Sequence, residues 1–200
     1  MTADAERAAV WARGEGVVLR RAPIEAFDAP EIRRALLDSI ERGYDGEPEP
    51  IAEHAERFVI EVARRLSGAG GAGTVVGVLA FERDRPVPGA VAVTTLAIAP
   101  GQRGHAYAAR ALLVLERRVA REAVDAIWAR VPRGNGRGLY FVLRCGYAPV
   151  TPPPVEDGAS WFLRNPALAP RLRPSAPLHS PHALRSAQSP RPKREPPVGS

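Results

Sequence analysis

The sequence predicts a mixed α/β domain, a sheet with helices on both faces, and three observations carry that prediction. Two β-rich runs, residues 74–81 and 90–99, meet across a turn that holds Pro86, Pro88 and Gly89. A small-residue turn then opens a long segment, 106–122, with no internal glycine or proline. After it a strand-like run at 126–131, a short helix at 138–145 and two more β segments follow in close succession. Strand and helix signals that alternate in this way imply a layered mixed sheet.

Taken in order, residues 17–20 alternate as a short strand, and Asp28-Ala29-Pro30-Glu31 supplies a cap and an early proline for a helix through Ile40. Ile51, Ala55, Phe58, Val59, Val62 and Leu66 recur at helical spacing and read as a second helix, although residues 58–62 alone also suit a strand. Glycines between 68 and 73 break the chain before the two β-rich runs, which read as neighbouring antiparallel strands. Leu112, Leu113, Leu115 and Val119 give the 106–122 helix its apolar face. Residues 147–150 and 160–164 supply the closing strands.

Two hundred residues, 45% hydrophobic and 25% charged, suit one domain with a substantial core. We expect an N-terminal extension over 1–16, the domain over 17–165, and a disordered basic tail over 166–200. That tail is rich in proline and serine, lacks aromatic residues and shows neither helical nor strand period. It also accounts for most of the net charge of +6, with six basic residues against Glu195 alone. Its charges are spaced by prolines, so nucleic-acid binding is not expected of it. The single cysteine, Cys145, permits no intramolecular disulfide, which points to the cytoplasm. No signal-like apolar segment opens the chain, and its longest apolar run, 75–81, falls far short of the ~20 residues that span a bilayer.

Chemistry first shows at Leu96-Ala97-Ile98-Ala99-Pro100-Gly101-Gln102-Arg103-Gly104-His105-Ala106-Tyr107-Ala108. A strand ends at a proline and a small-residue turn starts a helix, whose first backbone N–H groups and positive dipole end suit a diphosphate. Here the sequence resembles the GNAT superfamily of N-acetyltransferases. The matching segment is Arg103-Gly104-His105-Ala106-Tyr107-Ala108, with Ala106 where the family usually has its central glycine. A later segment, Asn135 followed eleven residues on by Gly146-Tyr147, resembles the family's second motif.

The resemblance implies a mostly antiparallel sheet of six or seven strands, acetyl-CoA as co-substrate, and an acceptor that is a small-molecule amine or a peptide N-terminus. It implies cofactor contacts from Leu96, Ile98, Arg103, Gly104, His105, Ala106, Tyr107, Ala108 and Asn135, on a monomer or homodimer. It also exposes gaps. The strand glutamate that often serves as base is replaced by Val93, Thr94 and Thr95, and the position of the usual acid, a tyrosine, is Val142. Tyr140 lies two residues away, about 200° around a helix, and reads first as a packing aromatic. As candidate acid and base there remain Tyr140 and, within the acidic stretch from Asp38 to Glu56, Glu53. His54 in that stretch reads as exposed, Cys145 as a small buried hydrophobe, and Arg103 as a better phosphate partner than His105.

The missing base bears on the acceptor. A lysine-type amine near pKa 10.4 is neutral at pH 7 about one time in 2,500, a cost of roughly 4.6 kcal/mol, against about 1.4 for an α-amine near 8. A low-pKa amine therefore fits better. The competing expectation is a degenerate domain that binds acyl-CoA or a protein partner without turnover.

Overall fold

The computed structural model describes residues 10–38, 50–62, 73–122 and 124–164. Eight strands form one sheet in the order β1-β2-β3-β4-β5-β6-β8-β7. They are β1 (Val10–Gly14), β2 (Val17–Arg21), β3 (Glu56–Val62), β4 (Thr74–Arg83), β5 (Ala90–Ile98), β6 (Ala126–Val131), β7 (Tyr147–Pro149) and β8 (Ser160–Arg164). Every pairing is antiparallel except β5 with β6, which run parallel because helix α2 (Tyr107–Val119) carries the chain back between them. Helices α1 (Pro30–Leu37) and α3 (Gly136–Arg144) complete the layers.

The two faces have separate cores. Ala111, Leu112, Val114, Leu115 and Val119 of α2 pack with Val142 of α3 and with Phe58, Phe81, Val91 and Val93 of the sheet. On the other face, Phe27, Ile32 and Ala35 cover Val78, Ala80 and Ala97. Because both faces are covered, β4 reads as an unbroken buried run from Val76 to Glu82 rather than as an alternation. Beside α1 on that face, Trp128 and Trp161 pack edge to face over Ala90 and Ala92.

Four expectations change. The helix expected through residues 51–66 is instead strand β3 over its described part, paired with β2 on one side and β4 on the other. Phe58 and Ile60 point into the α2-side core while Val59 packs on the α1 side, so the Phe-Val-Ile run is a two-faced strand. Residues 10–14, expected within an N-terminal extension, form β1, where Trp11 packs at a tilt against Phe58 and Phe81. With β1 and β3 included, the sheet has eight strands instead of six or seven. At α1, Pro30 takes the first turn as expected, but Ala29 and not Asp28 occupies the cap position. The expected tail at 166–200 lies outside the described residues.

Candidate functional site

The site begins where two strands part. β5 and β6 pair only from Ala90↔Ala126 to Val93↔Ala129, after which both strands run on without each other. On its other side β5 stays bonded to β4 as far as Ile98. The β6-facing edge of residues 94–98 therefore has backbone groups with no strand partner, an edge that an extended ligand can join. A cavity of about 810 Å³ opens through this gap and reaches both faces of the sheet. On the α2 and α3 side it is lined by Leu96, Leu112, Val131, Asn135, Phe141 and Val142. On the α1 side it meets Leu36, Ile51, Ala52, Glu82, Arg85 and Asp157.

The turn at the end of β5 has a specific shape. Pro100–Gln102 makes a short 3-10 turn, Gly104 sits at φ 85°, and Ala106 caps α2 from the left-handed region at φ 58° and ψ 19°. Only glycine adopts that conformation without strain. This explains physically why a glycine suits position 106. A Cβ at Gly101 or Gly104 would meet nothing within 4 Å, so the backbone of the turn is open to a bulky ligand. Residues 103–106 are exposed, and α2 presents its unpaired N–H groups beside them.

Leu96 and Asn135 line the cavity, whereas Ile98, Arg103, Gly104, His105, Ala106, Tyr107 and Ala108 lie along the turn outside its lining. Ile98 packs on the α2-side core. Arg103 donates from Nε to the Ile98 carbonyl at 3.2 Å and pairs through Nη1 with Asp38 at 3.3 Å. His105 lies against the Tyr107 ring. Asn135 caps α3, its Oδ1 accepting the Gly138 N–H at 2.7 Å, while its amide NH₂ has no partner among the described residues. A Cβ on Gly138 would come within 2.8 Å of that amide nitrogen, so the small residue at 138 keeps Asn135 in place.

The catalytic candidates fare differently. Tyr140 is 63% exposed, outside the cavity lining, and its hydroxyl accepts a bond from Arg144 at 3.3 Å. Glu53 is exposed and also outside the lining; its backbone carbonyl accepts from Arg57. Val142 lies in the cavity wall but brings no proton to it. Cys145 is buried among apolar neighbours, and burial, with the nearby Glu116 charge adding to it, pushes its thiol up to about 11. A thiol so raised is no nucleophile at neutral pH.

Sequence reasoning missed the cavity's own carboxylates, Glu82 and Asp157. Burial alone would raise the Asp157 carboxyl, but bonds from Arg130, the Ala159 N–H and the Trp161 indole outweigh it and hold it below the ordinary range. Glu82 is 4% exposed at the end of β4 and accepts from Arg85 at 2.8 Å. A charged residue ending a long apolar run was the available signal. Its partners, His54 and Arg85, come from either side of the strand.

The model of the acetyltransferase (GNAT) family matches residues 29–147, more than half of the chain and all of the parted-strand site except Asp157 and Gly158. The chain belongs to the GNAT acetyltransferase family. This GNAT chain also shares its fold with solved structures. An acetyltransferase from Thermus thermophilus is 18% identical with a TM-score of 0.50, covering 74% of this chain and 96% of that one. A GCN5-related N-acetyltransferase from Brucella melitensis is 14% identical with a TM-score of 0.54, covering 82% and 80%. The PaiA N-acetyltransferase of Thermoplasma acidophilum, in complex with coenzyme A, is 11% identical with a TM-score of 0.50, covering 74% and 98%. No curated protein sequence matches the chain. Among the described residues no helix is long and apolar enough to cross a membrane.

Proposed function

We propose that this protein transfers an acetyl group from acetyl-CoA to a primary amine, either a small molecule or a peptide N-terminus, by direct transfer in a ternary complex. One observation carries the reading: the cavity at the parting of β5 and β6 is reached from both faces of the sheet. A thioester entering along α2 and α3 and an amine entering beside α1 would meet at Val93 to Leu96, the stretch lining the cavity from β5.

The residues fit the co-substrate. The open turn at 101–106 and the start of α2 suit its diphosphate. The unpaired edge of 94–98 suits an extended arm with two amides, and the Asn135 NH₂ suits a carbonyl beside the thioester. Arg103 serves the phosphates if its guanidinium exchanges Asp38 for them. In the transfer, the neutral amine nitrogen attacks the thioester carbonyl carbon and the C–S bond breaks. The thiolate leaves and takes up one proton, while the amine that entered as ammonium has released two. With Val93, Thr94 and Thr95 where a base carboxylate would stand on β5, positioning supplies most of the rate, which favours acceptors of low pKa. The lone Cys145 supports a cytoplasmic setting.

Release of free CoA from acetyl-CoA in the presence of a panel of primary amines and peptide N-termini tests the proposal. Turnover with at least one amine is expected. Saturable acetyl-CoA binding with no CoA release from any of them supports a non-catalytic acyl-CoA-binding domain instead, the reading that Val142 favours.

A further inference from the structure

We propose that Glu82 is the cation-binding group for the acceptor, and that the acceptor is a monocationic amine with an apolar body; this rests on the acetyltransferase reading above. Glu82 lines the cavity with its side chain only 5% exposed. Its Oε2 accepts from Arg85 Nη1 at 2.8 Å and lies 3.1 Å from His54 Nε2. Both contacts fall on the same oxygen. Oε1 has no protein partner among the described residues. Nor is it sealed in, for among those residues the Trp128 indole nitrogen alone is buried without one. Oε1 is therefore not fully buried, and on a residue that lines the cavity it is the oxygen left for a ligand. A carboxylate fixed through one oxygen by two neighbours is a preorganised acceptor for an N–H donor, and a cationic donor gains most from it.

The rest of the α1-side wall sets the class of cation. Leu36, Ile51 and Ala52 bring an apolar surface that continues into the α1-side core. The second lining carboxylate, Asp157, already accepts from Arg130 at 2.7 Å, the Ala159 N–H at 3.1 Å and the Trp161 indole at 3.2 Å, with Arg85 at 3.5 Å. Arg85, Arg130 and Arg133 line the same cavity and repel further positive charge. One carboxylate oxygen is on offer, so a polyamine, which needs several, does not fit. The strand that usually carries the family's base has none here, and Glu82 reaches the cavity from β4, one strand over.

The test uses 2-phenylethylamine, a monocation at neutral pH that reads binding of the cation and not turnover, and its neutral analogue 2-phenylethanol as probes, with thermal unfolding of the full chain in saturating CoA as the readout. In the wild type the amine is expected to raise Tm and the alcohol to leave it unchanged. Glu82→Gln keeps the shape and the bond from Arg85 but loses the charge, and should weaken the amine's apparent affinity about tenfold or more while leaving the shift from CoA intact. Glu82→Asp retains the charge on a shorter stem and should bind the amine with intermediate affinity, which covers the case where the glutamine variant does not fold. The assignment is overturned if the amine shifts Glu82→Gln as much as the wild type, if the alcohol shifts the wild type as much as the amine, or if CoA binds and neither probe does. Absence of any shift from CoA in the folded wild type defeats the acetyltransferase reading itself.

Discussion

Replacing Ala106 by glycine should stabilise the domain, although most glycine substitutions near a helix do the reverse. Ala106 holds φ 58° and ψ 19° at the cap of α2 with no side-chain hydrogen bond. That conformation costs an L-residue about 1–2 kcal/mol. Glycine removes the cost but gains freedom in the unfolded chain, worth about 0.4–1 kcal/mol in the other direction. It is also a better cap residue than alanine. The difference leaves about 0.5–1 kcal/mol in favour of glycine, and for a domain of this size each kcal/mol moves Tm by about 2–4 °C. Scanning calorimetry should therefore show a rise of roughly 1–4 °C for Ala106→Gly. Gly104→Ala makes the opposite test. Its Cβ would meet nothing within 4 Å, so the backbone strain at φ 85° acts alone and Tm should fall by a similar amount. An unchanged or lowered Tm for Ala106→Gly, with Gly104→Ala also silent, would refute the left-handed turn on which the proposed phosphate site rests.

Gly138→Ala should leave stability within about 1 kcal/mol, because a gain in helix propensity offsets the lost Asn135 cap, yet it should weaken acetyl-CoA binding by displacing the Asn135 amide; equal affinity in a calorimetric titration would remove Asn135 from the site. Arg164→Met should destabilise by about 3–5 kcal/mol in urea unfolding, since it strands Glu116, 2.7 Å from Arg164 Nε, in a buried setting shared with the Tyr147 hydroxyl; a loss below about 1 kcal/mol would show the pair to be solvated. Stability should also decline at alkaline pH. Above 9.0 the unfolded Cys145 thiol loses its proton while the folded one keeps it to about 11, so the folded chain binds more protons and loses up to about 1.4 kcal/mol per pH unit across that window. Tyr147, raised by burial first and then by Glu116, acts in the same direction. Cys145→Ala should flatten the dependence between about pH 9 and 11, and an unaltered slope would contradict the burial argument.

How much of this was legible depended on whether the signal was local. The β4–β5 hairpin and α2 announce themselves through turn residues and period, and the positions of Leu96 and Asn135 follow from the elements around them. β3 did not, because a Phe-Val-Ile run satisfies helical and strand patterns equally, and its two strand partners, β2 and β4, decide the matter. β1 is a short edge strand with mixed exposure, paired with β2 and with Trp11 packed at a tilt against rings from β3 and β4. Glu82 was hidden for a different reason. Within its own strand it is a charge after an apolar run, and only the arrival of His54, 28 residues upstream in the chain, and of the cavity wall from β6 makes it a buried site group. The acidic stretch that drew attention at Asp38, Glu53 and Glu56 contributes no carboxylate to the cavity among the described residues. Its Glu56 instead pairs with Arg21 and Arg83.

The central claim is that the turn after β5 and the gap beside it hold acetyl-CoA. Calorimetric titration of the full chain with acetyl-CoA tests it most directly, run alongside Gly104→Asp, which sets a carboxylate where the diphosphate is expected without touching the core. Saturable one-to-one binding by the wild type, weakened about tenfold or more in a variant with an unchanged circular dichroism spectrum, is the predicted result. Failure of the folded wild type to bind, or equal binding by Gly104→Asp, would contradict it.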